Sequence, residues 1–298
     1  MTRRVRRTLF ASFTFIFFFL TITISLYATG YRFNLGWPIR LNQLLVRTGT
    51  LILDSEPRQA AITLTNKTAW HLAEANRSNL TTPTKIKNLL PGEYEIQISL
   101  PNYWPFIKEI NIYPGESTYL ENIVLFRNNL PVKIFDIKIQ PIELMADKQH
   151  LILSTDKKII DLKTEMETEV TLTANSPSKL PDITFVKPKD VKIITWINDN
   201  QFFYANDFEI YQFDIKNNTK WLVTRISQPL TTILYDPTGY LIYSTDQEIN
   251  IFNLADQTTT ALIKLDKLSA PVLNSQNNTL YFTTKIGNQE GLYKLYFK

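Results

Sequence analysis

Between Gly49 and Phe126 the chain alternates apolar and polar residues with a period of two. The runs "TGTLILD", "AAITLT", "TKIKNL", "YEIQISL", "FIKEINIY" and "TYLENIVLF" mostly place a β-branched or aromatic residue at every second position. Such alternation predicts half-buried antiparallel strands. Six of them predict a small β-sandwich. Pro-Gly-Glu occurs twice, at Pro91 and at Pro114. Proline presets φ at the first central position of a turn, and glycine supplies the positive φ that a type II turn needs at the second. Each copy therefore predicts a tight turn that opens a strand.

The second half repeats itself. Four strand-like anchors begin at positions 150 ("HLILST"), 201 ("QFFYAN"), 240 ("YLIYST") and 279 ("TLYFTT"). The last three are 39 residues apart, and the first gap is 51. The segment "TANSPSKLPDITFVKPKD" accounts for the excess. A turn precedes each anchor, and a further strand comes after it: "IIDL", "EIYQFDI", "EINIFNL" and "GLYKLYF". A repeat near 40 residues built of short strands predicts the blades of a β-propeller. The last repeat is one strand short, and "VKIFDIKI" at 132–139 has no partner of its own. Pairing the two would close a ring of about four blades. A ring completed by a second chain and an open solenoid are the alternatives.

Leu9 to Ala28 forms a run of 20 residues without a charge. At about 1.5 Å per residue, a helix of that length crosses the roughly 30 Å hydrocarbon core of a bilayer. Its Thr and Ser can bond back to helix carbonyls. Tyr27 and Tyr31 sit where an aromatic belt would. Arg3, Arg4, Arg6 and Arg7 precede the run, so the positive-inside rule orients the N-terminus to the cytoplasm and everything after Ala28 outside. A cleaved signal peptide and a buried core helix are the competing readings. The signal peptide fits less well because the run is long and Ala28-Thr29-Gly30 is a poor cleavage site.

Composition narrows the chemistry. The chain has 298 residues, 32 Lys plus Arg against 28 Asp plus Glu, and a net charge of +4. The four N-terminal arginines account for that excess. The remainder is neutral, which argues against nucleic-acid binding. With no Cys and two His, thiolate chemistry, disulfides and poly-His metal sites are excluded. No Gly-x-Ser-x-Gly, Walker loop, dinucleotide fingerprint or His-Glu-x-x-His is present. No cofactor is expected.

The residues "LDSEPRQAAITL" and then "TPTKIKNLLPGEYEIQISLPNYWPFIKEINIYPGES" resemble a PEGA domain. The matching positions are Pro57, Ala61, Pro83, Pro91, Gly92, Tyr94, Tyr103 and Gly115, the last closing a hairpin. One departure stands out: Asn66–Thr81 is longer than the short turn the family has there, and partly helix-like. It is either a surface loop or an element particular to this chain. "YDPTGYLIYS" loosely resembles the turn of TolB-type or WD40-like blades. With the Arg-rich start, the single anchor and "YATGYRFN", the whole is similar to a group of membrane-anchored bacterial PEGA proteins. The resemblance implies an extracytoplasmic, non-catalytic module of an envelope protein.

The expected organisation is therefore all-β with one transmembrane helix: 1–30 the arginine cluster and anchor, 31–48 a connector, 49–126 the sandwich, and 127–298 the propeller-like repeats. Candidate chemistry is sparse. Glu165, Glu167 and Glu169 alternate, so on a strand they would share one face as a Ca²⁺ site or a solvated surface. Asp207-Phe208-Glu209 and Asp246-Gln247-Glu248 recur at equivalent places, which reads as hairpin turns. Trp104, between two loop prolines, is the best candidate for an exposed contact, with Trp70 beside His71 the second. The function expected is a single-pass protein that contacts protein or cell-wall polysaccharide without catalysis. A homo-oligomer is not excluded. The alternatives are a sensor or assembly scaffold for membrane complexes, and a glycan-acting enzyme.

Overall fold

The computed structural model describes residues 3–33, 45–67, 77–145, 147–168, 191 and 193–298. The chain divides into two compact units, Met1–Leu125 and Phe126–Lys298.

The first unit starts with helix α1 (Arg3–Ala28). Its span Val5–Ala28 is long and apolar enough to cross a membrane, and none of it is buried by the protein. Thr14, Thr21 and Thr23 donate their hydroxyls to the carbonyls of Phe10, Phe17 and Phe19, so their polarity is satisfied inside the helix. The helix extends six residues further toward the N-terminus than the uncharged run, because the arginines themselves are good helix formers. Strand β1 (Tyr31–Phe33) pairs antiparallel with β2 (Leu45–Arg47). Thr48 donates both its N–H and its hydroxyl to the Gly30 carbonyl, at 2.8 and 2.7 Å.

Seven more strands follow among the described residues of the unit: β3 (Gly49–Glu56), β4 (Ala61–Asn66), β5 (Arg77–Thr81), β6 (Thr84–Leu89), β7 (Gly92–Ser99), β8 (Phe106–Ile112) and β9 (Ser117–Val124). They form two sheets, β6-β3-β9 and β5-β4-β7-β8. Alternation does what the sequence implies: Leu51, Leu53 and Ile86 from one sheet meet Ile62, Leu64 and Ile96 from the other in one buried core.

Four expectations change. The strands are not all antiparallel, since β9 runs parallel to β3 with Leu51 opposite Thr118. The two Pro-Gly-Glu copies are not the same turn. Gly115 (φ 76°) closes a turn in which the Glu116 N–H reaches the Tyr113 carbonyl at 3.4 Å. Gly92 (φ 147°) is instead the first residue of β7, opposite Ile112, far from the φ near +80° of a type II turn. Nor does Gly115 close a hairpin: β8 and β9 belong to different sheets, so the turn carries the chain from one sheet to the other. Finally, Arg77–Thr81 of the family-departing insertion is not helical but an edge strand on β4. Residues 68–76, with Trp70 and His71, lie outside the described residues.

The described residues of the second unit form sixteen strands. β10 (Val132–Phe135), β11 (Ile142–Leu144), β12 (His150–Leu153), β13 (Lys158–Asp161), β14 (Met166–Thr168), β15 (Ile193–Asn198), β16 (Gln201–Ala205) and β17 (Glu209–Asp214) come first. β18 (Thr219–Arg225), β19 (Thr232–Asp236), β20 (Tyr240–Ser244), β21 (Glu248–Asn253), β22 (Thr259–Lys264), β23 (Val272–Asn274), β24 (Thr279–Ile286) and β25 (Gln289–Tyr296) complete it. They make four antiparallel four-stranded sheets: β11–β14, β15–β18, β19–β22, and β10-β25-β24-β23. Each sequence anchor is the second strand of its meander.

The last sheet borrows its outer strand from the start of the unit. Val132 lies opposite Lys294, and Phe135 opposite Leu292. The unpaired run and the incomplete last repeat thus complete each other, using four residues of the eight. Gly291 makes this approach feasible. A Cβ there would lie 2.6 Å from the Phe135 carbonyl oxygen and 2.6 Å from Lys133 Cε. Gln140 fixes the crossing into the next sheet. Its backbone exchanges bonds with the Thr283 hydroxyl at 2.9 and 2.7 Å. Its side-chain carbonyl accepts the N–H groups of Thr155 and Asp156. The faces of the sheets bury Phe203, Ile233 and Leu241 in one shared core and Leu151, Ile160 and Tyr281 in another.

Candidate functional site

Turns with the same chemistry recur at the end of each first strand of the four meanders. The Asp147 carboxylate accepts the Gln149 N–H at 2.9 Å, Asn198 the Asn200 N–H at 2.9 Å, Asp236 the Thr238 N–H at 3.3 Å, and Asn274 the Gln276 N–H at 3.1 Å. A short Asx side chain satisfies a backbone donor two residues on, which is why Asp and Asn mark these turns in a chain with few glycines. Asparagine also takes left-handed backbone directly at Asn88, Asn102, Asn122, Asn218 and Asn278.

The first strands of the four meanders line a cavity of about 860 Å³. β11 contributes Ile142, Glu143 and Leu144, and the turn after it contributes Lys148. β15 contributes Thr195, Trp196, Ile197 and Asn198, while β19 contributes Leu234 and Tyr235. Val272, Leu273 and Ser275 come from β23 and its turn. Strands from four different sheets therefore converge on one space. Its size is in the range of small-molecule pockets. Thr195 donates its hydroxyl to the Ile233 carbonyl at 2.9 Å, tying two first strands together. The Trp196 ring packs on Phe202 at 5.0 Å, and its indole N–H is buried without a partner.

Several ionisable groups of this unit are bound to turn N–H groups or to charges on neighbouring strands. His150 Nδ1 lies 2.6 Å from Asp147 and Nε2 3.9 Å from Asp161. Backbone N–H groups of Thr164 and Lys163 hold the Asp161 carboxyl below its usual range. Hydrogen bonds from Gln201 and Asn217 do the same for Asp214, and those from Tyr211 and Arg225 for Glu209. For Asp147 burial pushes upward, but bonds from Gln149 and His150 outweigh it and the net shift is down.

An unfolded carboxyl with the higher pKa binds protons that the folded one refuses, so protonation favours unfolding. Unfolding stability of the second unit is expected to be full above pH about 4, near the unfolded carboxyl values. It falls as the pH drops below that and through the lowered folded values. Urea midpoints at pH 6 and pH 3 test this; equal midpoints at both would contradict it.

Of the residues singled out from sequence, Arg3, Arg4, Arg6 and Arg7 occupy the first turns of α1. Beside Pro57 and Pro83, the buried Ser55 and Thr82 form a clasp, whereas Pro83 itself is exposed. The Ser55 and Thr82 hydroxyls are 2.6 Å apart, Ser55 also donates to the Pro57 carbonyl, and Thr82 accepts the Ala60 N–H at 3.1 Å. The buried alanine is Ala60, while Ala61 faces outward. Pro91 leads into β7. Tyr94 is buried and donates its hydroxyl to the Leu90 carbonyl at 2.8 Å. Tyr103 packs on the edge of the sandwich core. These positions are scaffolding, as packing and polar satisfaction require.

Trp104 is not an exposed contact: it is half-buried, and its indole N–H is buried without a partner. Glu165 is not on a strand but in a left-handed turn, paired with Lys294, whereas Glu167 on β14 pairs with Lys158 at 2.9 Å. Glu169 lies outside the described residues. No group of three metal-ligating side chains occurs among the described residues. The acidic repeats are hairpin elements: Glu209 pairs with Arg225 and Glu248 with Lys264, at 3.0 and 2.8 Å. Sequence reasoning missed the cavity, whose lining comes from four separated strands.

The fold thus defines a class: an all-β protein of two units carried on one apolar helix. Within it, residues 48–125 match the PEGA domain family, about a quarter of the chain. No curated protein matches. Among solved structures, the chain is similar to the N-terminal domain of Nup159, at 14% identity and TM-score 0.27, covering 58% of this chain and 48% of that one. It therefore spans about half that chain's length. It is also similar to the AfRom2 CNH domain, at 13% identity and TM-score 0.30, covering 87% of this chain and 85% of that one. A third likeness, at 12% identity and TM-score 0.29, is to an auxiliary nutrient binding protein from Bacteroides thetaiotaomicron, covering 78% of this chain and 63% of that one. TM-scores this low do not define a shared fold.

Proposed function

We propose that this chain is a single-pass, extracytoplasmic binding protein of the bacterial cell envelope, acting without catalysis on a protein or cell-wall glycan partner. One observation carries the reading: an arginine-fronted, wholly unburied apolar helix joined to β units. The span Val5–Ala28, at about 1.5 Å per residue, would reach roughly 36 Å, enough for the hydrocarbon core. Four arginines before it favour a cytoplasmic N-terminus. The PEGA match supports an outside address for the β units beyond the helix. The four meanders read as blades around the cavity. The depressed carboxylates support a non-catalytic role, since their oxygens are committed to turn N–H groups and ion pairs.

The test is twofold. Protease added to intact cells should digest residues 45–298, and the full chain in detergent should sediment with isolated cell-wall material or retain a protein partner. A protected C-terminal portion would overturn the placement. Absence of both kinds of retention would overturn the binding role.

A further inference from the structure

The cavity is lined by two opposite charges that no described residue neutralises. Glu143 on β11 and Lys148 in the turn after it both line the space. Neither has an ion pair with any described residue, and the contact of Lys148 Nζ is the Ser275 hydroxyl at 3.4 Å. Asp147 is turned to His150, and Asp236 to Lys298. Glu209, Glu248, Lys158 and Lys294 of this unit, by contrast, are each in an ion pair. Glu143, which is exposed, and the half-buried Lys148 thus leave an opposite pair open to a ligand in one cavity. The wall around it is apolar and aromatic, with Leu144, Leu234, Val272, Trp196 and Tyr235.

We propose that this cavity binds a zwitterionic amino acid or short peptide. The Glu143 carboxylate takes the ligand ammonium and Lys148 its carboxylate, as charge-assisted hydrogen bonds. The faces of Trp196 and Tyr235 add favourable surface for a cation. The apolar wall receives the remainder of the ligand. A neutral sugar would leave both charges uncompensated as it displaced their water, which costs free energy. The inference rests on reading the chain as a binding protein and narrows its ligand.

The experiment is calorimetric titration of the full chain in detergent micelles with tri-alanine, free alanine, N-acetyl-tri-alanine and tri-alanine amide. Tri-alanine or alanine should bind saturably at millimolar concentration or below, and comparison of the two separates peptide from free amino acid. Blocking either terminus should weaken binding by about tenfold or more, the loss of one charge pair. Glu143→Gln should abolish discrimination against the acetylated form while keeping that against the amide. Lys148→Met should do the reverse. Unfolding midpoints of both variants should match the parent, since neither side chain is in an ion pair. Absence of saturable binding, or equal binding of free and blocked forms, would overturn the proposal. If cell-wall or protein retention survives that result, the inference fails and the general binding role stands.

Discussion

Gly291→Ala is expected to destabilise the second unit by about 2–3 kcal/mol, the scale of overpacking a close contact. The added methyl would meet the Phe135 carbonyl and Lys133 Cε, each at 2.6 Å. A lysine stem can swing aside, but a carbonyl moves only if β10 lifts from β25. The outer strand of the last sheet would then be lost, and with it the bonds that join the unit's two ends. Adding Lys133→Ala should recover only a minor part of the loss, because the carbonyl contact remains. Urea unfolding of the full chain, with proteolysis within 127–139 as a local readout, measures both. Unchanged midpoints and unchanged cleavage in Gly291→Ala would show that the end-to-end pairing does not hold the unit together. A chain lacking 127–139 that melted like the parent would show the same.

Lys298→Met should cost about 3 kcal/mol, the lower end for breaking a buried ion pair by removing one partner. Lys298 Nζ sits 2.6 Å from Asp236 Oδ2, with side chains 16% and 2% exposed. It also donates to the Thr238 hydroxyl at 2.6 Å and lies 4.4 Å above the Tyr240 ring. Without the ammonium, the Asp236 carboxylate keeps only the turn N–H and hydroxyl of Thr238. The double variant Asp236→Asn with Lys298→Met removes the stranded charge and should regain most of the stability. A Lys298→Met protein that unfolds like the parent would mean that the pair contributes nothing. A double variant no better than the single one would mean that the cost is packing rather than charge.

Single residues show how far the sequence reaches. Alternation alone assigns Leu51, Leu53, Ile62 and Leu64 to a buried face, and they are buried. The 39-residue period places Phe203, Ile242 and Tyr281 on second strands of successive sheets, where they are buried. Thr14, Thr21 and Thr23 bond within the helix, as an apolar span requires. Pro114-Gly115 is a turn, whereas the same letters at Pro91 lead straight into a strand. A tripeptide fixes φ preferences and leaves open whether the chain reverses or runs on. Trp104 is half-buried despite its flanking prolines, because prolines indicate a loop and a loop tip can still fold back on its own sandwich.

The sequence by itself determined what depends on neighbours along the chain. That covers the apolar span, the strand faces, the Asx and glycine turns and the repeat length. Each comes from side-chain transfer energies and φ preferences acting within a few residues. Tertiary structure alone decided which strand lies beside which: β9 parallel to β3, and β10 against β25. It alone set Lys298 on Asp236 and left Glu143 and Lys148 unpaired in a common cavity. Alternation specifies a buried face but not the partner that covers it. A charge is paired or free according to distances of a few ångströms, which chain separation does not encode.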